Sequence, residues 1–163
     1  MKSLLKEDLY AQIFHSALLA IAVTDKQGHF MAVNPAWCKS LGWTETEAKT
    51  LNIKDITLVE EQPIINQELN KIAQGKVSSL RKEQRYKRKD GTMFWASLYS
   101  SALFDDKEKV IGILDIFVDI DTQVISEKVH GELFQSLETL NKELSNANIG
   151  LKRQAKYDSL TGL

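Results

Sequence analysis

The groups in this chain that could do chemistry are few and scattered. They are one thiol, Cys38; three imidazoles, His15, His29 and His130; and two adjacent acidic pairs, Glu60-Glu61 and Asp105-Asp106. A thiolate can attack or ligate, an imidazole can ligate or move protons, and paired carboxylates can divide acid and base roles. Their spacing supports none of these reactions. There is no glycine-rich phosphate loop, no His-Glu-x-x-His run and no second cysteine, and the acidic pairs read as solvated turns. Binding is better served than reaction. On a strand, Ala96, Leu98, Ser100 and Ala102 share one face. Their small side chains leave room for an organic guest, and the Ser100 hydroxyl can give it one hydrogen bond. The same face also suits a filled core with Ser100 bonded to backbone. Trp95, Tyr99 and Leu103 fall on the opposite face, an apolar surface that needs cover from the N-terminal helix or a second subunit.

These residues need elements to hold them. Leu5, Leu9, Ile13 and Phe14, continued by Leu18, recur at helical spacing and predict an amphipathic helix over 1–17. Ile21 and Val23 alternate with Ala22 and Thr24, Asp25 to Gly28 supplies turn chemistry, and Phe30 to Val33 makes a second strand. Asn34 caps a helix whose first residue is Pro35. Thr44 and Glu47 form a capping box. Ile64, Ile65, Leu69 and Ile72 predict a longer helix ended by Gly75. Three strands follow, Ser78 to Lys89, Thr92 to Phe104 and Val110 to Asp119, the first two joined tightly at Asp90-Gly91. Two strands, several short helices and three strands predict an α+β domain over 18–121, a five-stranded antiparallel sheet with helices on one face.

Beyond Asp121 the pattern changes. Leu133, Leu137, Leu140, Leu144, Ala147 and Leu151, flanked by His130 and Gln154, alternate in steps of three and four. That is a coiled-coil seam on a helix over 122–156, about 54 Å long at 1.5 Å per residue. A second chain is expected to cover it as a parallel homodimer, the alternative being a helix folded back on its own domain. Asn146, Asn148 and Gly150 soften its far end.

Composition narrows the class. Of 163 residues, 43% are apolar and 26% charged, with a net charge of −1, so no strong field draws the chain to nucleic acid or anionic lipid. Arg81, Lys82, Arg85, Lys87, Arg88 and Lys89 are a local basic strand. The longest apolar run, 17–23, falls far short of the roughly 20 residues of a membrane span. An N-terminus that turns acidic early does not read as a signal peptide, and a single cysteine suits a reducing compartment, so the expected location is the cytoplasm.

Several of these residues together resemble a PAS domain: Asp25 to Gly28, Asn34-Pro35, Leu41-Gly42-Trp43, the run Arg85 to Gly91 with Trp95 after it, and Val110-Ile111-Gly112. The domain would close at Asp119-Ile120-Asp121, where the family usually has Asp-Ile-Thr. Asp121 departs from that pattern yet can still cap the following helix. The tail Asp158-Ser159-Leu160-Thr161-Gly162-Leu163 resembles the opening of a GGDEF domain, the diguanylate cyclase module, over 157–163.

The resemblance implies a sensory module that dimerises and controls a C-terminal diguanylate cyclase in cis, with Asp119, Ile120 and Asp121 as the junction for signal transfer. The chain itself would not be an enzyme. Asn34, Trp37 and Cys38, with Leu98, Ser100 and Ala102, are the expected pocket lining for a small organic ligand of unknown identity. Covalent flavin chemistry is not supported, because Cys38 lies on the first short helix and outside the Gly-x-Asn-Cys-Arg-Phe pattern of light-sensing relatives. Haem is not supported either, because the helix over 62–74 carries no histidine; no metal site is expected. The rival readings are a dimerisation module that senses nothing and a histidine kinase input with His130 as phospho-acceptor.

Overall fold

The computed structural model describes residues 2–161, apart from the side chains of residues 2–4, 123–125 and 161. It divides into two compact units, one ending at Asp121 and one beginning at Thr122.

The first unit opens with α1 (Lys2–Ser16), β1 (Ala20–Thr24) and β2 (Phe30–Val33). Three helices follow, α2 (Pro35–Leu41), α3 (Glu45–Ala48) and α4 (Gln62–Ala73), and then β3 (Ser79–Lys87), β4 (Met93–Phe104) and β5 (Val110–Asp119). The five strands form one antiparallel sheet in the order β2-β1-β5-β4-β3, an α+β architecture. Local chemistry sets the helix ends. Asn34 Oδ1 accepts from the Trp37 N–H at 2.9 Å, and Gly42, with φ +83°, closes α2 by donating to the Cys38 carbonyl. The Thr44–Glu47 box forms in both directions, at 3.0 and 3.2 Å. A second box, Asn52 with Asp55, starts a 3-10 turn over Ile53–Ile56 that the hydrophobic pattern does not reveal.

The core lies on the helix side of the sheet, where Trp37, Leu41, Ile56, Tyr86 and Phe94 are fully buried. Packing against backbone is close at Gly112, where a Cβ would stand 2.8 Å from the Thr24 carbonyl oxygen. The edge strand β3 is shorter than the sequence predicts. Residues 88–92 turn instead, with the Arg88 N–H on the Thr92 carbonyl and the Thr92 N–H on Asp90 Oδ1.

Two expectations need correcting. The stripe on α1 does not pack: Leu5, Leu9 and Ile13 are exposed, Leu18 is 95% exposed, and only Phe14 is half-buried. Asn34 Nδ2 bonds the Phe14 carbonyl, at the last turn of α1, and the exposed leucines lie on the earlier turns or beyond the helix. Nor does α1 cover the outer face, where Trp95 and Tyr99 remain 36% and 41% exposed and Leu103 half-buried. Arginines of the basic strand lie across those rings instead, Arg85 over Trp95 at 5.9 Å and Arg81 over Tyr99 at 5.3 Å. The β3–β4 register pairs the same residues.

The second unit is the helix α5 (Asp121–Thr161), 41 residues and roughly 60 Å long. It extends beyond the expected end at residue 156, through Tyr157 and Asp158; Gly162 and Leu163 lie outside the described residues. Leu133, Leu137, Leu140, Leu144, Ala147 and Leu151 are all exposed along it.

Candidate ligand cavity and output junction

Between the inner face of the sheet and α4 lies a cavity of about 30 Å³. Ile53, Ile65, Leu69, Ile72, Leu80, Leu98 and Ile113 give it apolar walls, and its polar lining comes from the sheet apart from Glu68 on α4. Strand parity explains the arrangement. Asp115 lies between the buried Ile113 and Phe117 on the inward face of β5, directly opposite Ser100 on β4. Thr24 pairs with Ile113, so it is the diagonal neighbour of Asp115 from β1. The Ser100 hydroxyl donates to Asp115 Oδ1, and the Thr24 hydroxyl donates to Oδ2 over a longer 3.4 Å.

Asp115 is only 5% exposed. Burial pushes its carboxyl up to about 6, against the opposing pull of the Ser100 and Thr24 hydroxyls and the Lys82 ammonium. From β3, Gln84 and Tyr86 line the same space, and neither the Gln84 Nε2 nor the Tyr86 Oη has a hydrogen-bond partner among the described residues. Burial, reinforced by the Asp115 charge, holds the Tyr86 phenol well above its ordinary range, so it stays protonated and able to donate. Lys82 and Glu68, both partly buried, form an ion pair in the cavity lining.

Of the six residues expected to line a pocket, Leu98 and Ser100 do so. Asn34, Trp37, Cys38 and Ala102 lie elsewhere. Asn34 is fully committed: its Oδ1 accepts from Ile21 and Trp37, and its Nδ2 donates to the Phe14 and Leu19 carbonyls. Trp37 is buried against Phe30 with ring centroids 5.0 Å apart, Cys38 packs half-buried beside the core, and Ala102 is half-buried toward the end of β4. Ser100 bonds a carboxylate rather than backbone. Sequence reading missed Asp115, Thr24, Gln84 and Tyr86. The signal was there in Asp115, a lone charge at inward parity within the apolar run 110–118.

The junction at the end of β5 is joined to the sheet at one residue. Where β5 stops, Trp95 keeps a backbone N–H and C=O that need partners. The Ile120 N–H donates to the Trp95 carbonyl at 2.9 Å, and Asp121 Oδ1 accepts from the Trp95 N–H at 2.7 Å. Asp121 therefore spends that oxygen on the sheet. Asp119 accepts from the Asp121 N–H and from the Arg88 guanidinium.

Comparison with known proteins gives the same fold. Over 124 residues the chain is 23% identical to the probable diguanylate cyclase DgcE of Escherichia coli (strain K12), covering 76% of this chain and 11% of that protein. It is 24% identical over 131 residues to the sensor histidine kinase TmoS of Ectopseudomonas mendocina, covering 80% of this chain and 14% of that one. The chain thus spans a small part of the curated relatives it matches. A crystal structure of a PAS domain from Colwellia psychrerythraea superposes with a TM-score of 0.66 at 21% identity, covering 72% of this chain and 98% of that one. No described helix is long and apolar enough to cross a membrane. The profile of the PAS domain matches residues 18–122, and the chain belongs to that family of sensory domains in signalling proteins.

Proposed function

We propose that this chain is the input of a signalling protein, in which an event at the cavity beneath α4 alters the Asp119–Asp121 junction and through it the pairing of α5. The observation that carries the reading is the double bond set at Trp95, which fixes the first residue of α5 to the central part of the sheet. Asp115 and Asp119 belong to the same strand, so a shift of β5 at the cavity moves the start of the helix. Two copies pair in parallel along Leu133, Leu137, Leu140, Leu144, Ala147 and Leu151, because an exposed leucine seam is stabilised by burial against its like. The output is a GGDEF domain continuing from Asp158, a reading supported by the "DSLTGL" segment and by the similarity to a probable diguanylate cyclase. The rotation or register of the paired helices then sets how two cyclase domains face each other.

The test is a series of single cysteines along the seam of the longer protein, crosslinked one at a time and assayed for cyclic-di-GMP synthesis. Activity that rises and falls with position is expected; equal activity at every position removes the mechanism. A second reading, a pairing module that senses nothing, is favoured by the small size of the cavity. It predicts the same activity profile whatever occupies Asp115 or Tyr86. The kinase reading is tested by replacing His130, which is exposed on α5, and following phosphorylation.

A further inference from the structure

We infer that the cavity recognises a small neutral molecule headed by a hydroxyl group, held between Asp115 on one side and Gln84 and Tyr86 on the other. The inference rests on reading this cavity as the ligand site of the sensor. The lining itself dictates the head group. Gln84 Nε2 and Tyr86 Oη are buried, lack partners among the described residues and can donate, so a guest must bring acceptors. Asp115 is buried with one firm donor, Ser100, and one long one, Thr24, so a guest must also bring a donor. A hydroxyl carries one donor and two acceptor lone pairs, which matches that set. A carboxylate would accept from Gln84 and Tyr86 but offer nothing to Asp115 and repel it. An ammonium would satisfy Asp115 but leave both free donors unmatched. The Lys82–Glu68 pair is internally balanced and adds no net charge that would favour either ion. Ile65, Leu69 and Ile72 face the guest from α4, and the volume of about 30 Å³, near one water's share of the liquid, limits its apolar part to about one carbon.

The experiment is an amide-resolved NMR titration of this chain with methanol, formate and methylammonium, three head groups on one-carbon frames. Saturable shifts at Ser100, Asp115 and Gln84 with methanol, and at least 5-fold weaker responses to the two ions, are expected. Tyr86→Phe should weaken the alcohol response about 3- to 10-fold, as loss of one hydrogen bond does. Gln84→Met, which removes a donor without a partner, should weaken it similarly while leaving the free protein as stable or more so, a result that loss of folding cannot imitate. Saturable binding of formate or methylammonium at these residues in preference to the alcohol would overturn the hydroxyl assignment and keep the cavity as the ligand site. No saturable response at these residues to any of the three would overturn both.

Discussion

The Ser100 hydroxyl and the Asp115 carboxylate face each other across two adjacent central strands, bonded to one another inside the core of the domain. A carboxylate there is costly unless it is paired or protonated, and this pair couples the middle of the sheet to the ionisation of a single side chain.

That coupling predicts stability that falls as pH rises. The Asp115 carboxyl moves from 3.8 in the unfolded chain to about 6 in the fold. Its contribution is present in full below pH 3.8, declines as pH rises and is gone above about 6, a change of roughly 3 kcal/mol. Urea midpoints between pH 4.5 and 8 should drop for the natural protein and stay nearly flat for Asp115→Asn. Glu47, held down to about 2 chiefly by its bond from Lys89, titrates below this window and does not interfere.

Asn34 predicts a graded pair of variants. Asn34→Ala loses the α2 cap and both carbonyl bonds, and should cost about 2–4 kcal/mol. Asn34→Asp keeps the acceptor for Ile21 and Trp37 but sets a buried carboxylate oxygen against the Phe14 and Leu19 carbonyls, so at neutral pH it should cost at least as much and recover part of the loss as the pH falls. Hydrogen exchange over residues 5–16 should accelerate in both, and unchanged exchange there would count against Asn34 as a tether of α1.

Gly112→Ala should cost about 1–3 kcal/mol, because the new methyl meets the Thr24 carbonyl oxygen, a backbone atom that cannot swing away. The loss would appear as a lower denaturation midpoint. Gly91, where nothing lies within 4 Å of an added Cβ, is the control for space, although its φ of +87° keeps its own conformational cost.

Two variants separate pairing from anchoring. Leu140→Asp, mid-seam on α5, should shift the chain from dimer toward monomer in sedimentation while leaving the thermal transition of the PAS unit unchanged. Asp121→Ala should leave the dimer intact but speed exchange of the Trp95 amide, whose acceptor it removes.

Much of this molecule is legible in its residues. The alternation over 93–104 and 110–119 gives the two longest strands, and Asn34-Pro35 and Thr44–Glu47 give the caps of α2 and α3, because those signals are local. The cavity was half legible. Leu98 and Ser100 follow from the parity of one strand, but their partners Asp115, Thr24 and Gln84 come from three others, and only strand order brings them together. The sheet bond of Asp121 was hidden for a similar reason, because its partner, the Trp95 amide, is 26 residues away. The exposure of α1 was hidden because spacing shows which residues share a stripe, not whether anything packs on it.

The neighbouring of β1 and β5 at the centre of the sheet has a bearing on how the protein is made. Ala20 pairs with Phe117, so the sheet cannot close until nearly the whole domain has left the ribosome. Until then β1 lacks one of its two partners, with only β2 beside it. Closing the sheet needs a distant encounter, a slower kind of step than local helix formation. The strand that completes the sheet runs directly into α5, so the leucine seam is synthesised only after the domain can close. If α5 pairs as proposed, two nascent chains meet through finished domains, a sequence of events that keeps unpaired strand edges from being the first surfaces they share.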